Sequence, residues 1–355
     1  MDDLEIGRTD KTGLFDLVEE NRRLFAAMIN GTAGEIALTK NVSEGLNILA
    51  ASLDWQPDDN VVVTLSLEHP NNVYPWLNQK ARYGIEVRVV PDLGGHIDID
   101  AMIAAVDERT RLVTLPTVTF SPGVRADVRR LSEVCRERDV FLLVDAVQSV
   151  GVLHTDVKTM GVDGLATSTQ KGLCGLYGMG FLYCREAWAE KINPAYLARF
   201  GVDLGEGAHE ATMGATNYRL MPGARRFDVG NYNYPAAVVC LESLKILTSV
   251  GTERIETHVI KLSHQLVLGL LDLGFNVAGG EPGPHLGSIV CIGTPSSGHD
   301  STEDPEIEDL SKYLLENDVI HTIRRGMIRF ALHLYNNADD VDRVLDLARS
   351  WRTSQ

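Results

Sequence analysis

Residues 141–182, FLLVDAVQSVGVLHTDVKTMGVDGLATSTQKGLCGLYGMGFL, decide the fold of this chain. Residues 140–144 are continuously apolar and bounded by polar positions, a pattern typical of a fully buried strand. Asp145 follows at the point where that strand ends. Open α/β sheets bind their ligands at the carboxyl ends of parallel strands. Asp145 is therefore either a hydrogen-bonded loop residue or a ligand contact.

An amide and a lysine follow this aspartate. Gln148 lies one short turn beyond Asp145, and Lys171 stands among small and hydroxyl residues in the run 168–172. A lone lysine is usually a solvated surface charge. Beside an acid and an amide it can instead form a Schiff base with a carbonyl cofactor, while the aspartate keeps the cofactor's pyridine nitrogen protonated.

Three short patterns carry a family resemblance: D-A-x-Q-S-x-G at 145–151, S-x-Q-K-G at 168–172 and G-x-G-F-L-Y at 178–183. They resemble the class V aminotransferases, a family of pyridoxal-5′-phosphate enzymes that includes cysteine desulfurases and C–S lyases. The resemblance extends from residue 39 to about residue 342. It implies an α/β protein of fold type I.

The resemblance also implies a domain plan. We expect residues 1–240 to form a large cofactor-binding domain around a mainly parallel seven-stranded sheet, and residues 241–355 a smaller α+β domain. The N-terminal helix within residues 1–30 is expected to pack on the small domain. Strands and helices that alternate at this spacing independently favour a mainly parallel sheet.

Composition limits the partners. The net charge of −16 is spread along 355 residues, and phosphate binding needs clustered Lys and Arg, so nucleic acid and anionic membranes are not expected partners. No targeting signal opens the chain, and no run of about eighteen apolar residues occurs. The five scattered cysteines show no metal-ligand spacing. We therefore expect a cytoplasmic protein with no metal site.

The turn at residues 39–47 leads from a short strand into a helix. Such a turn is most often an ordinary N-cap, but its free amides can also bind an anion. In the resembled family this turn holds the cofactor phosphate. The resemblance thus places the Val42 and Ser43 amides and the Ser43 hydroxyl on the phosphate, with Ser168 and Gln170 beside them.

Residues 68–76 match the pattern E-H-x-x-N-x-x-P-W of the family. A single histidine at a strand end would ordinarily be a hydrogen-bonded loop residue. The resemblance instead implies that His69 stacks on the cofactor ring and relays protons. We place Asn72, in the same motif, among the substrate-binding residues.

The chain departs from its relatives after the strand at 112–115. Cysteine desulfurases usually carry an asparagine near this point, available to the cofactor's phenolic oxygen, whereas this chain has Phe120. A phenyl ring cannot make that hydrogen bond. Thr119 is a possible substitute, and Gln148 is expected to bond the same oxygen.

Arg329 lies within an apolar alternation near the C-terminus. An unpaired guanidinium is costly to bury, so it needs either an internal salt bridge or a bidentate carboxylate ligand. The resemblance implies the ligand, namely the α-carboxylate of the substrate. It also implies that Asn231 reaches the cofactor phosphate of a neighbouring subunit, which predicts a homodimer with shared active sites.

These residues specify chemistry at Cα or Cβ of an amino acid, with Lys171 moving the Cα proton. Desulfurases that carry a persulfide have a cysteine on a mobile segment before the carboxylate-binding arginine. Residues 318–328 contain none, and Cys291 lies too far upstream. We therefore predict a C–S lyase that eliminates at Cβ of a cysteine derivative. A class V aminotransferase, an amino-acid epimerase and an inactive cofactor-fold binding protein remain alternatives.

Overall fold

A seven-stranded sheet forms the centre of the chain in the computed structural model, which describes residues 10–205 and 217–354. Its strands, in chain order, are β1 Ile36–Thr39, β2 Asn60–Val63, β3 Glu86–Val89, β4 Thr110–Pro116, β5 Phe141–Asp145, β6 Gly164–Ser168 and β7 Gly180–Cys184. They lie in the order β1-β7-β6-β5-β4-β2-β3. The five strands from β6 to β3 are parallel, and β7 runs antiparallel to both of its neighbours. The mainly parallel seven-stranded sheet confirms the predicted fold class.

Helices cover the sheet and connect its strands. In chain order they are α1 Lys11–Met28, α2 Val42–Ser52, α3 Tyr74–Tyr83, α4 Ile99–Ala104, α5 Val128–Glu137, α6 Val157–Met160, α7 Glu186–Ala189 and α8 Tyr234–Val250. A small ribbon, β8 Val202–Asp203 with β9 Arg219–Leu220, lies between α7 and α8. The apolar strands β2, β4 and β5 are buried along their length apart from one exposed residue of β4, as expected for a sheet covered on both faces.

A second sheet stands in the C-terminal part. Its elements are α9 Thr252–Asp272, β10 Ile289–Ile292, α10 Pro305–Glu316, β11 Thr322–Arg324, β12 Met327–Ala331 and α11 Ala338–Thr353. The three strands are antiparallel, with β12 in the middle. The predicted division after residue 240 falls within α8, which continues to Val250 before the chain turns by 80° into α9.

Helix α1 packs on α8 and on the first sheet rather than on the C-terminal sheet. Asn21 donates a hydrogen bond to the Ala237 carbonyl at 3.0 Å. Phe25 stacks on Phe181 of β7 with ring centroids 4.0 Å apart. The helix thus contacts the large sheet and α8, which crosses the predicted domain boundary, and its packing on the small domain stays a prediction.

The described helices differ in length and apolarity from what a bilayer requires: most are short, and α9 carries several charges. None of them is by itself both long and apolar enough to cross a bilayer. Only α8 and α9 taken together reach the required length and composition, and the bend of 80° separates them.

Candidate active site

A cavity of about 260 Å³ lies at the carboxyl ends of β4 and β5. Six of the predicted site residues line it together, although they come from four separate stretches of the chain. The complete lining is Val42, His69, Asn71, Pro116, Val118, Phe120, Asp145, Val147, Gln148, Gln170, Lys171 and Tyr177.

Asp145 is the last residue of β5 and is almost fully buried. One carboxyl oxygen accepts a hydrogen bond from the Val147 amide at 3.0 Å. Burial raises the pKa of Asp145 to about 6, although the Val147 amide and the charge of Lys171 oppose the increase. A desolvated carboxylate of this kind favours a cationic N–H donor beside it.

Lys171 follows β6, on the connection to β7, and remains open to solvent at the cavity. Desolvation lowers its pKa, and the positive charge of Arg329 lowers it further, while the carboxylate of Asp145 acts in the opposite direction. A lysine must lose its proton before it can attack a carbonyl. The surroundings of Lys171 therefore favour its reactive, neutral form.

Two glycines hold the Gln148 turn against the Lys171 turn. Gly151 has a positive φ of 91°, and a Cβ at this position would collide with the carbonyl of Gly172. A Cβ at Gly172 would in turn collide with the Val150 carbonyl. Because only glycine permits such a close approach, these positions fix the acid, the amide and the lysine relative to one another.

His69 stands beyond β2, at the start of a short turn. Its Nδ1 accepts a hydrogen bond from the Asn71 amide at 3.2 Å, and Phe120 packs edge-on against the ring with centroids 5.3 Å apart. Burial lowers the pKa of His69, and the charge of Lys171 adds to the effect. The imidazole is thus neutral and presents an aromatic surface in the cavity wall.

The substitute proposed for the missing asparagine does not reach the cavity. Thr119 is fully buried, and its hydroxyl accepts the amides of Gly123 and Val124, both at 3.0 Å. Phe120 lines the cavity instead. Of the two predicted donors to a phenolic oxygen, only Gln148 faces this space.

The predicted phosphate end is assembled from the start of α2 and the end of β6. The Val42 amide donates to the Ser168 hydroxyl oxygen at 2.7 Å, so these two groups already bind each other. Asn41 caps the helix by accepting the Glu44 amide at 2.9 Å. Ser43 is the next residue of the same first turn.

Arg329 reaches the cavity wall from β12 on the second sheet. One of its terminal nitrogens donates to the Gln148 side-chain oxygen at 3.2 Å. Its Nε is buried and has no hydrogen-bond partner within the described ranges, and no carboxylate there pairs with the side chain. The described residues therefore offer Arg329 no internal salt bridge.

The structure does not bring the two predicted asparagines to the cavity. Asn72 is fully buried; it donates to the Thr114 hydroxyl at 2.9 Å and accepts from the Trp76 indole at 3.1 Å. Its neighbour Asn71 lines the cavity instead. Asn231 lines a different cavity of about 270 Å³, together with Lys40, Glu44 and Gly230 among others.

Two residues that the sequence interpretation left unassigned lie at the site. Tyr177, 81% exposed, forms part of the cavity wall, and its place in the glycine-rich run after Lys171 could have drawn attention to it. Glu68 is fully enclosed next to His69, and neither carboxyl oxygen has a hydrogen-bond partner in the described part of the chain. Nothing in the local sequence distinguishes it from an exposed loop acid.

Comparisons with known proteins show the family of this chain. The profile of the family described as Aminotransferase class-V matches residues 9–344. A probable cysteine desulfurase of Methanothermobacter thermautotrophicus is 34% identical over 250 residues, which cover 70% of this chain and 60% of that protein. An uncharacterized aminotransferase of Schizosaccharomyces pombe is 30% identical, covering 92% of this chain and 80% of its own. The chain belongs to the aminotransferase class-V family.

A solved structure shows the same fold. That of a cystine C-S lyase in complex with its reaction product cysteine persulfide matches with a TM-score of 0.82, over 95% of this chain and 87% of the other, at 24% identity. This likeness confirms the predicted fold type. Family membership confirms the predicted class, a pyridoxal-5′-phosphate-dependent enzyme.

Proposed function

We propose that this enzyme is a C–S lyase that eliminates at Cβ of a cysteine derivative and carries no sulfur on a cysteine of its own. The strongest support for an amino-acid substrate is the state of Arg329. The Nε of Arg329 is buried and unpartnered in the described chain, and a terminal nitrogen of the same side chain donates to Gln148, which lines the cavity with Lys171 and Asp145. A guanidinium in that state favours a carboxylate ligand.

The residues present fit pyridoxal 5′-phosphate. Asp145 offers a buried carboxylate that accepts only the Val147 amide and forms no ion pair in the described chain, which suits a protonated pyridine nitrogen. Lys171 offers an amine of lowered pKa for covalent attachment. His69 would cover the ring and Gln148 would bond the phenolic oxygen. The phosphate would lie near Val42, Ser43, Ser168 and Gln170, which stand around the first turn of α2.

When bound, the cofactor supplies an electron sink for negative charge at Cα of the substrate. Lys171 Nζ removes the Cα proton, which its lowered pKa favours. Asp145 would accept a hydrogen bond from a protonated pyridine nitrogen, and Arg329 would bind the α-carboxylate of the substrate and so orient Cα. Loss of the Cβ substituent as a thiol or persulfide anion then completes the elimination, with Lys171 returning its proton to the leaving group.

The cysteines support a lyase without a persulfide carrier. Four of them, Cys135, Cys184, Cys240 and Cys291, are buried, and burial raises the pKa of each thiol. Sulfur transfer needs an accessible thiolate. All five cysteines lie in the described ranges, none lines the active-site cavity, and none forms a disulfide. The free thiols also support a reducing compartment, and on that ground we place the enzyme in the cytoplasm.

Cys174 is the exposed cysteine and lies three positions after Lys171. Its sulfur is 3.6 Å from His333 Nε2, an arrangement that could activate a thiol. Nε2, however, also lies 2.9 Å from the Gly172 carbonyl, and Nδ1 accepts the Leu334 amide at 2.8 Å. The ring therefore carries its proton on Nε2 and has no lone pair for the thiol, and desolvation raises the thiol pKa.

The test is a product assay with the purified enzyme. Cystine, cysteine and S-substituted cysteines are supplied one at a time without a keto acid, and we expect pyruvate and ammonia. Lys171→Ala should lose the visible absorbance of the bound cofactor and all pyruvate formation, whereas Lys191→Ala, a surface control, should retain both. Alanine with released sulfur would indicate a desulfurase, and an absolute requirement for a keto acid an aminotransferase. Either result would contradict the proposal.

We also propose that the working unit is a homodimer. Asn231 lines a different cavity from Lys171 in its own chain, and we infer that it reaches a cofactor phosphate in a second copy. Tyr177, Val238 and Ile246 are apolar or aromatic and 81%, 52% and 57% exposed. Asn233 donates to the Tyr177 carbonyl at 3.4 Å, which connects this surface to the Asn231 segment. An exposed apolar surface of this kind favours association.

A further inference from the structure

Two polar groups of the second sheet are buried side by side without partners. Thr322 on β11 is paired across the strands with Arg329 on β12. Thr322 Oγ1 and Arg329 Nε are both inaccessible to solvent, and neither has a hydrogen-bond partner within residues 10–205 and 217–354. Burial of an unpaired polar atom is unfavourable. Each side chain therefore keeps a hydrogen-bonding group that the described chain leaves unused, and a ligand can satisfy it once the side chain rotates toward the cavity.

Both groups lie on the sheet face that is turned toward the active site. Side chains directly opposite each other on antiparallel strands share a face, so Thr322 points to the same side as Arg329. That side is the one from which Arg329 reaches Gln148 at the cavity wall. The alternate residues Ile323 and Ile328 point to the other side and pack in the main hydrophobic core.

The pair suits an acceptor with two oxygens. Arginine only donates hydrogen bonds, and a threonine hydroxyl can donate one. Because cross-strand neighbours have Cβ atoms about 5 Å apart, the two donors can converge on the two oxygens of one carboxylate. We infer, on the basis of the proposed function, that Thr322 is a further substrate-binding residue whose hydroxyl donates to the α-carboxylate alongside Arg329.

A purely structural role does not explain this hydroxyl. It contacts no polar group of the described chain, and valine has the same shape and an equal or greater preference for strands. Thr322→Val should therefore unfold at the same or a higher urea concentration than the unchanged protein. A loss of stability would indicate that the hydroxyl serves the fold.

The experiment measures binding of glycine to the holoenzyme from the change in cofactor absorbance. We expect Thr322→Val to raise the Kd for glycine about tenfold, as loss of one hydrogen bond to a charged group predicts. Thr322→Ser should restore the Kd to within about threefold of the original. Glycinamide has no carboxylate, so its Kd should change less than about twofold in Thr322→Val.

Ser263→Ala is the matched control, because the Ser263 hydroxyl is also buried and unpartnered but belongs to α9. It should leave glycine binding unchanged. If Arg329→Met weakens glycine binding and Thr322→Val does not, the role of Thr322 is refuted while the proposed function stands. If the unchanged holoenzyme shows no response to glycine or to cysteine derivatives, the proposed function itself fails.

Discussion

Glu68 is a fully buried acid beside His69, and neither of its carboxyl oxygens has a partner among the residues described. Burial raises its pKa well above the ordinary value, and the negative charge of Asp145 adds to the increase. Burial and the charge of Asp145 therefore both favour the protonated form of Glu68 in the folded protein. Protonation of Glu68 removes its charge repulsion with the Asp145 carboxylate.

This state makes stability depend on pH. Between the unfolded-state pKa of about 4.5 and the higher folded-state pKa, the folded chain holds a proton that the unfolded chain releases. In that window Glu68 lowers the free energy of unfolding by about 1.4 kcal/mol for each pH unit. Glu68→Gln removes this dependence, so its stability relative to the unchanged protein should increase as the pH rises.

Urea unfolding of both proteins without cofactor, at pH 5 and at pH 8, measures the effect. Glu133→Gln replaces an exposed carboxyl and should follow the unchanged protein at both pH values. Equal stability differences for Glu68→Gln at the two pH values would show that Glu68 is ionised in the folded state.

At the scale of elements, α1 is fixed to the sheet by a buried ion pair. Arg22 donates to Asp228 at 2.7 Å, and both side chains are almost completely buried. Asp228 also accepts the Leu38 amide of β1 and the Tyr232 hydroxyl, each at 2.8 Å. One carboxylate thus joins the first helix, the first strand and the segment that contains Asn231.

Arg22→Met should lower the free energy of unfolding by about 3–5 kcal/mol, because it leaves a buried charge without compensation. Denaturant unfolding measures this loss. Arg23→Met is the control in the same helix, since Arg23 is 60% exposed and pairs with Glu20; a surface pair contributes less than about 1 kcal/mol. If Arg22→Met and Arg23→Met lost similar amounts of unfolding free energy, the buried ion pair would contribute no more than the surface pair.

The sequence predicted those parts of the site that follow from strand ends and local patterns. Asp145 was recognisable because a continuous apolar strand precedes it, and Arg329 because a charge interrupts an apolar alternation. Asn71 and Asn72 could not be distinguished, since a one-residue rotation in the short turn at Pro70–Asn72 decides which of them faces the cavity. The position of Thr322 depends on strand register, which no local pattern encodes.

At the scale of the whole molecule, the proposed homodimer, in which Asn231 of one chain serves the site of the other, predicts complementation between subunits. Lys171→Ala and Asn231→Ala should each be impaired alone. When the two are unfolded and refolded together, a mixed dimer has one intact site, with Lys171 from one chain and Asn231 from the other. Random pairing then restores about one quarter of the original activity.

The control refolds each variant with itself, which should restore nothing. Absence of recovery from the mixture, with mixed dimers shown by differently tagged chains, would mean that both residues serve the same chain's site or that Asn231 has no part in it.

Arg329 belongs to the three-stranded sheet, whereas Lys171 and Asp145 belong to the seven-stranded one. The distance between the Lys171 amine and the Arg329 guanidinium therefore depends on how the two sheets pack against each other. No single loop sets it. The 80° bend between α8 and α9 is one of the features that determine this packing. Selectivity for ligand length thus depends on interlayer spacing, and residues remote from the cavity can alter which molecules fit without touching any of them.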